Sequence, residues 1–169
     1  MLSQNKINHV KHLFGYEPEY PIYHYQCDYN YIIEDFGYVA IQVDDEDYQG
    51  DSRILFDNDD NYGILIFGWG SCSGCDALQS CDSWEELTEL YDELLYSVKW
   101  FDTKEECIDY LKTHDWKGDF CWNEKTREFI KRSIEYLTKP KEAKEPTFED
   151  MLETYSFLTF ANSTFEEEI

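Results

Sequence analysis

Apolar positions along this chain fall into two rhythms. Between residues 38 and 69 they come in short runs, at 38–43, 53–56 and 62–69, rich in Val, Ile, Leu and aromatic residues. Segments dense in Asp, Asn and Gly separate them, at 44–51 and 57–61. Short apolar runs bounded by turn formers predict strands. The order predicts an antiparallel meander of about three strands with 62–69 central.

The rest of the chain has helical spacing. Ile7, Val10, Leu13 and Phe14 recur at intervals of three and four, and Gly15 can close a helix over 3–14. Ser83 with Glu86 has capping-box spacing. A stripe of Trp84, Leu87, Leu90, Tyr91, Leu94, Leu95 and Val98 follows it. Thr103 with Glu106 repeats the box ahead of Cys107, Ile108 and Leu111. A further helix is expected over 123–138, with Phe129, Ile130, Ile134 and Leu137 inward. Residues 139–146, charged and bounded by Pro140 and Pro146, read as a linker. Thr147 with Asp150 opens a docked helix to about residue 161, and 162–169 is an acidic tail. The expected fold is therefore α+β. One domain, 1–138, packs a small antiparallel sheet with four to five helices, largely on one face.

Pro18 and Pro21 keep the chain extended between the first helix and the strands. Tyr16, Tyr20, Tyr23, Tyr25, Tyr29 and Tyr31 crowd this stretch. They read first as packing against the sheet and second as a contact surface.

Charge changes the picture more than length does. The 169 residues carry 37 acids against 14 bases, a net charge of -23. Residues 34–98 hold 17 of the acids and one base, Arg53. Such a field disfavours nucleic acid and anionic membrane surfaces as direct partners, and favours cations or basic proteins. On the helix after Ser83, residues Glu85, Glu86, Glu89, Asp92 and Glu93 lie opposite the apolar stripe. With Asp44, Asp45 and Asp47 they are the candidate partner-binding residues. Two uses fit them: occupying a basic nucleic-acid channel as phosphates would, or steering a basic surface towards aromatic anchors.

The residues 1–14 contain no long apolar run, so no signal peptide is expected. No stretch approaches the ~18 apolar residues of a membrane span. A cytoplasmic location is expected, where thiols stay reduced. The six cysteines then read as ligands, redox groups or small core residues.

Three of them follow the third strand: Cys72, Cys75 and Cys81, in a segment with Gly70 and Gly74. A CxxC turn supplies two thiolates to zinc, and a helix N-terminus near Cys81 would favour a third. One structural Zn²⁺ is therefore expected on Cys72, Cys75 and Cys81. Its fourth ligand is placed at Cys27, within His24-x2-Cys27, with His24, Cys107, Cys121 and His114 as alternatives. The same CxxC resembles a thioredoxin-like motif, but no Pro lies between Pro21 and Pro140 to face it. Asp57-x-Asp59-x-Asn61 resembles the start of an EF-hand loop, yet Tyr62 and Gly68 stand where that loop needs Gly and Glu. A β-turn is expected there. No catalytic motif singles out a residue, and the chain reads as a non-enzyme.

Small size, strong acidity, a cysteine cluster and no enzyme motif together resemble the anti-CRISPR proteins that phages carry against type II CRISPR nucleases. The resemblance is one of type, because that class shares no sequence signature. It implies a basic nuclease partner in the bacterial host and inhibition by binding. A small thiol or metal enzyme and an immunity-type interaction domain are the alternatives.

Overall fold

The computed structural model describes residues 2–26, 28–117 and 123–139. The chain divides into two units, Met1–Thr138 and Lys139–Ile169. The expected linker beyond Lys139, the last helix and the acidic tail lie outside the described residues, as do Cys27 and Cys121.

Four strands form one antiparallel sheet in the order β1-β2-β3-β4: β1 Val39–Asp44, β2 Gly50–Asp57, β3 Tyr62–Trp69 and β4 Lys99–Phe101. β2 and β3 pair without interruption from Gly50 opposite Trp69 to Asp57 opposite Tyr62. Asp59 makes the reversal between them at φ 65°, and Asp59 N–H donates to Asp57 Oδ1 at 3.1 Å. The Asp-rich segment is thus a hairpin turn, as its composition predicts. β4 pairs with the start of β3, from Tyr62 opposite Phe101 to Ile64 opposite Lys99. It puts the meander one strand beyond the expected three.

Among the described residues, five α-helices accompany the sheet: α1 Gln4–Leu13, α2 Asn30–Phe36, α3 Trp84–Ser97, α4 Lys104–Thr113 and α5 Glu124–Thr138. Ser3 Oγ accepts from Lys6 N–H to start α1. Both capping boxes form. Ser83 Oγ accepts from Glu86 N–H at 3.2 Å while Glu86 Oε2 accepts from Asp82 N–H at 2.6 Å. Thr103 and Glu106 repeat this at α4, at 3.2 and 3.3 Å. In each, the N-cap hydroxyl satisfies one N–H that the helix leaves orphaned, and the Glu reaches back to the N–H just ahead of the cap. α2 begins where the tyrosine-rich stretch ends and stops at Gly37, whose φ of 155° suits glycine.

The helices cover both faces of the sheet, not largely one. Ile54, Phe56 and Leu65 point to one side, where they pack with Val10, Ile32, Ile33, Leu87 and Leu94 from α1, α2 and α3. Leu55, Ile64 and Val43 point to the other, against Cys107, Leu111 and Phe129 from α4 and α5. Successive strand residues alternate faces, so a sheet covered on both sides needs continuous apolar strands. That is why β2 and β3 read Ile-Leu-Phe and Ile-Leu-Ile-Phe rather than alternating.

Candidate thiol turn and acidic face

Where β3 ends, the chain makes a tight loop before α3. Cys75 N–H and Asp76 N–H both donate to Cys72 O at 2.9 Å, closing a turn over Cys72-Ser-Gly-Cys75. Asp76, only 4% exposed, fixes this turn to the sheet. Its Oδ2 accepts from Gly70 N–H at 2.8 Å, and its Oδ1 from Gln79 N–H at 2.9 Å and the Tyr29 hydroxyl at 3.3 Å. Burial, first, and the Asp76 charge raise the Tyr29 phenol well above its ordinary value, so it stays a donor. Gly70 lies directly against the turn. A Cβ there would meet Cys75 O at 2.4 Å and Cys75 Sγ at 2.7 Å.

This arrangement puts the Cys72 and Cys75 sulfurs 3.0 Å apart, both exposed and both free thiols. Hydrogen bonding from the Cys72 thiol, then from the Cys72 and Ser71 backbone, holds the Cys75 thiol below its ordinary value.

Cys81 sits differently. It is buried, and its thiol donates to Ala77 O at 3.3 Å while Gln26 Nε2 donates to its carbonyl. Burial pushes the thiol up to about 11, and the charges of Glu86, Asp76, Asp82 and Glu93 add to the rise. The helix start that was expected to favour its thiolate is outweighed by desolvation and by these acids. Cys107 is fully buried in the α4–α5 core, and burial raises it to about 12. His24 stacks on Tyr20 with ring centroids 4.5 Å apart, and His114 on Tyr110 at 4.6 Å. Among the described residues, no three His, Cys, Asp or Glu side chains converge as a metal would need. The structure therefore joins Cys72 to Cys75 and holds Cys81 in other contacts. Cys27 lies outside the described residues.

The acidic candidates divide the same way. Glu85, Glu86, Glu89 and Glu93 are exposed on α3. Asp92 is half-buried and pairs with Lys6 of α1. Asp44 and Asp47 are exposed, and Asp44 accepts from Gln42 Nε2 at 3.0 Å. Asp45 is turned inward, its Oδ1 accepting from Arg53 Nη1 at 3.0 Å and from Asn123 Nδ2 at 3.1 Å. A carboxylate engaged by a buried guanidinium is a structural group, and the sequence offered no local sign of it.

Beside the thiol turn lies a cleft of about 420 Å³, lined among others by Tyr29, Gln42, Phe67, Trp69, Asp76 and Gln79. Its lining includes parts of β1, β2, β3 and the loop before α3. Among the described residues, no helix is long and apolar enough to cross a membrane. Comparison with protein families, with characterised proteins and with solved structures found no match for this chain.

Proposed function

We propose that this chain is a binding protein whose α3 face engages a basic protein surface and inhibits it by occupancy. The observation that supports this is the composition of that face. α3 carries five acids and no Lys or Arg, and four of the acids are exposed on one side. At its C-terminal end Tyr96 is 93% exposed and forms a shallow apolar patch with Leu95, beside Asp92 and Glu93. Charge speeds encounter with a basic partner, and an exposed aromatic residue supplies an anchor for specific affinity.

A nucleic-acid-processing enzyme has the basic, channelled surface that such a face complements. A type II CRISPR nuclease is the sharpest candidate, in keeping with the anti-CRISPR resemblance. A structural Zn²⁺ is the competing occupant of the Cys72–Cys75 turn. It would take its remaining donors from groups that the described residues do not bring there.

The test is binding of the full chain to a purified type II nuclease loaded with its guide, measured from low to physiological salt. Saturable binding that weakens with salt, and that blocks DNA cleavage, supports the reading. Salt-independent binding, or no inhibition at saturation, refutes the acidic face as the inhibitory surface.

A further inference from the structure

We propose that Cys72 and Cys75 form a redox-active dithiol, which closes to an intramolecular disulfide by exchange with a small-molecule disulfide such as oxidised glutathione. The inference is independent of the acidic face and of its partner.

Four observations carry it. Both sulfurs are exposed, so a small disulfide can reach them. They lie 3.0 Å apart in a hydrogen-bonded turn, and closing to a disulfide near 2.0 Å needs only a small side-chain rotation. Cys72 and Cys75 are the first and fourth residues of that turn, whose Cα atoms lie within the span that a disulfide bridges. The turn is also anchored: Asp76, next to Cys75, accepts from Gly70 N–H, Gln79 N–H and the Tyr29 hydroxyl.

The chemistry balances with the oxidant named. Cys75 Sγ, as thiolate, attacks one sulfur of the small disulfide. That S–S bond breaks, a mixed disulfide forms on Cys75, and one small thiolate leaves. Cys72 then gives up its proton and its sulfur attacks Cys75 Sγ, expelling the second small thiolate. The protein loses two electrons and two protons, and the oxidant becomes two thiols. Both sulfurs are exposed, so a small disulfide reaches either one, and the balance is the same if Cys72 attacks first. Among the described residues the other two cysteines, Cys81 and Cys107, are buried, so there the exchange is confined to the turn.

The test uses the full chain, reduced and then equilibrated in glutathione buffers of graded redox ratio. Metal content is measured on the same samples. Peptide mapping should show one Cys72–Cys75 disulfide that forms and reverses with the ratio. Alkylation of Cys75 should outpace that of Cys81 by at least about tenfold. Cys72→Ser should trap a stable mixed disulfide with glutathione on Cys75, whereas Cys75→Ser should abolish the intramolecular disulfide. Both variants should keep the wild-type circular dichroism, since both positions are exposed. A pair that stays reduced in excess oxidised glutathione overturns the proposal. So does one equivalent of zinc that protects both thiols until a chelator removes it.

Discussion

Arg53 Nη1 donates to Asp45 Oδ1 at 3.0 Å with the arginine side chain wholly buried. The guanidinium is shared further. Its Nε donates to Thr126 Oγ1 at 2.9 Å, Nη2 to Asn123 Oδ1 at 3.3 Å and Nη1 to Asp51 O at 3.0 Å. One side chain thus ties the β1–β2 turn and β2 to the N-terminal end of α5. A buried arginine is tolerable only because several of its five donors find acceptors here. Removing one partner leaves a buried charge less well matched. Asp45→Ala should lower stability by about 3 kcal/mol, the low end for a broken buried pair, since Asp51 Oδ2 remains 3.6 Å away. Urea unfolding monitored by tryptophan fluorescence measures it. A loss below about 0.5 kcal/mol would mean that the network does not hold α5 to the sheet.

The same pair carries a pH signature. Burial alone would raise Asp45, but hydrogen bonds from Asp51 N–H, Arg53 and Asn123 outweigh it and hold this carboxyl below its ordinary value. A carboxyl depressed in the folded state contributes stability above its unfolded value, about 3.9, and loses it as pH falls through the folded value. Asp51 acts with the opposite sign. Burial raises it despite the Arg53 charge, so its ionised form opposes folding at neutral pH and protonation relieves that. The clean comparison is therefore wild type against Asp45→Asn. The gap in their unfolding free energies should be full near pH 6 and shrink steadily towards about pH 3. A gap independent of pH would mean that Asp45 is not the depressed group.

Asp76 organises the thiol turn, so its removal should act on both stability and thiol chemistry. Asp76→Ala leaves the buried Gly70 N–H and the Gln79 N–H without their acceptor, at about 1–3 kcal/mol each if water does not replace it. Gly70→Ala should disturb the turn by another route, since its Cβ would press on the Cys75 backbone at 2.4 Å. In both variants the sulfurs lose their fixed spacing, and closure of the Cys72–Cys75 disulfide should slow relative to wild type. Stopped-flow exchange with a chromogenic disulfide reads this. Unchanged closure rates would show that the turn holds its geometry without Asp76 and Gly70.

What was legible in the sequence was what local chemistry decides. Ser83, Thr103 and Ser3 announce helix starts because a cap needs only the next three residues. β3 occupies Tyr62–Trp69, the run picked out by its apolar character. The nearness of Cys72 to Cys75 follows from their spacing alone. α2 was hidden because Tyr29, at its N-cap position, makes no side-chain cap, and seven residues give little periodicity to read. β4 is three residues long between two helices, and pairing with β3 defines it rather than its own pattern. The fate of Cys81 depends first on burial, which spacing cannot convey, although three of the acids that add to it, Asp76, Asp82 and Glu86, stand within five residues. Arg53 looked like a lone base in an acidic stretch, because Asn123 and Thr126 lie 70 and 73 residues away.

The two-faced core makes a direct prediction. Phe129 from α5 and Leu65 from β3 are both fully buried, but on opposite sides of the sheet. Phe129→Ala should cost about 3–5 kcal/mol and Leu65→Ala about 2–5 kcal/mol, through lost burial and the cavities left behind. The two sites share no cluster, so the double variant should lose nearly the sum. A strongly non-additive double variant, measured by urea unfolding, would mean that the sheet transmits packing changes between its faces.

The acidic face of α3 can be tested only with residues that the fold does not use. Glu86 closes the capping box through Asp82 N–H, and Asp92 pairs with Lys6. Reversing either would weaken the helix start or the α1–α3 contact, and lost binding could then be lost structure. Glu85 sits in the first turn, where its charge favours the helix dipole. Glu89 and Glu93 are exposed, one turn apart, and outside the first turn. Reversing both to Lys should leave unfolding within about 0.5 kcal/mol of wild type. It also removes a like-charge i,i+4 pair only to install another, so the helix gains little. Against a basic partner the reversal should act mainly on association, slowing it roughly tenfold or more at low salt and less at high salt. Tyr96→Ala, at the edge of the same face, should instead speed dissociation, because an aromatic anchor acts after encounter. Surface plasmon resonance at two salt concentrations separates the effects. If the double reversal leaves the association rate unchanged at low salt, the partner does not approach through α3, and the charge on this face serves only to keep copies of the chain apart.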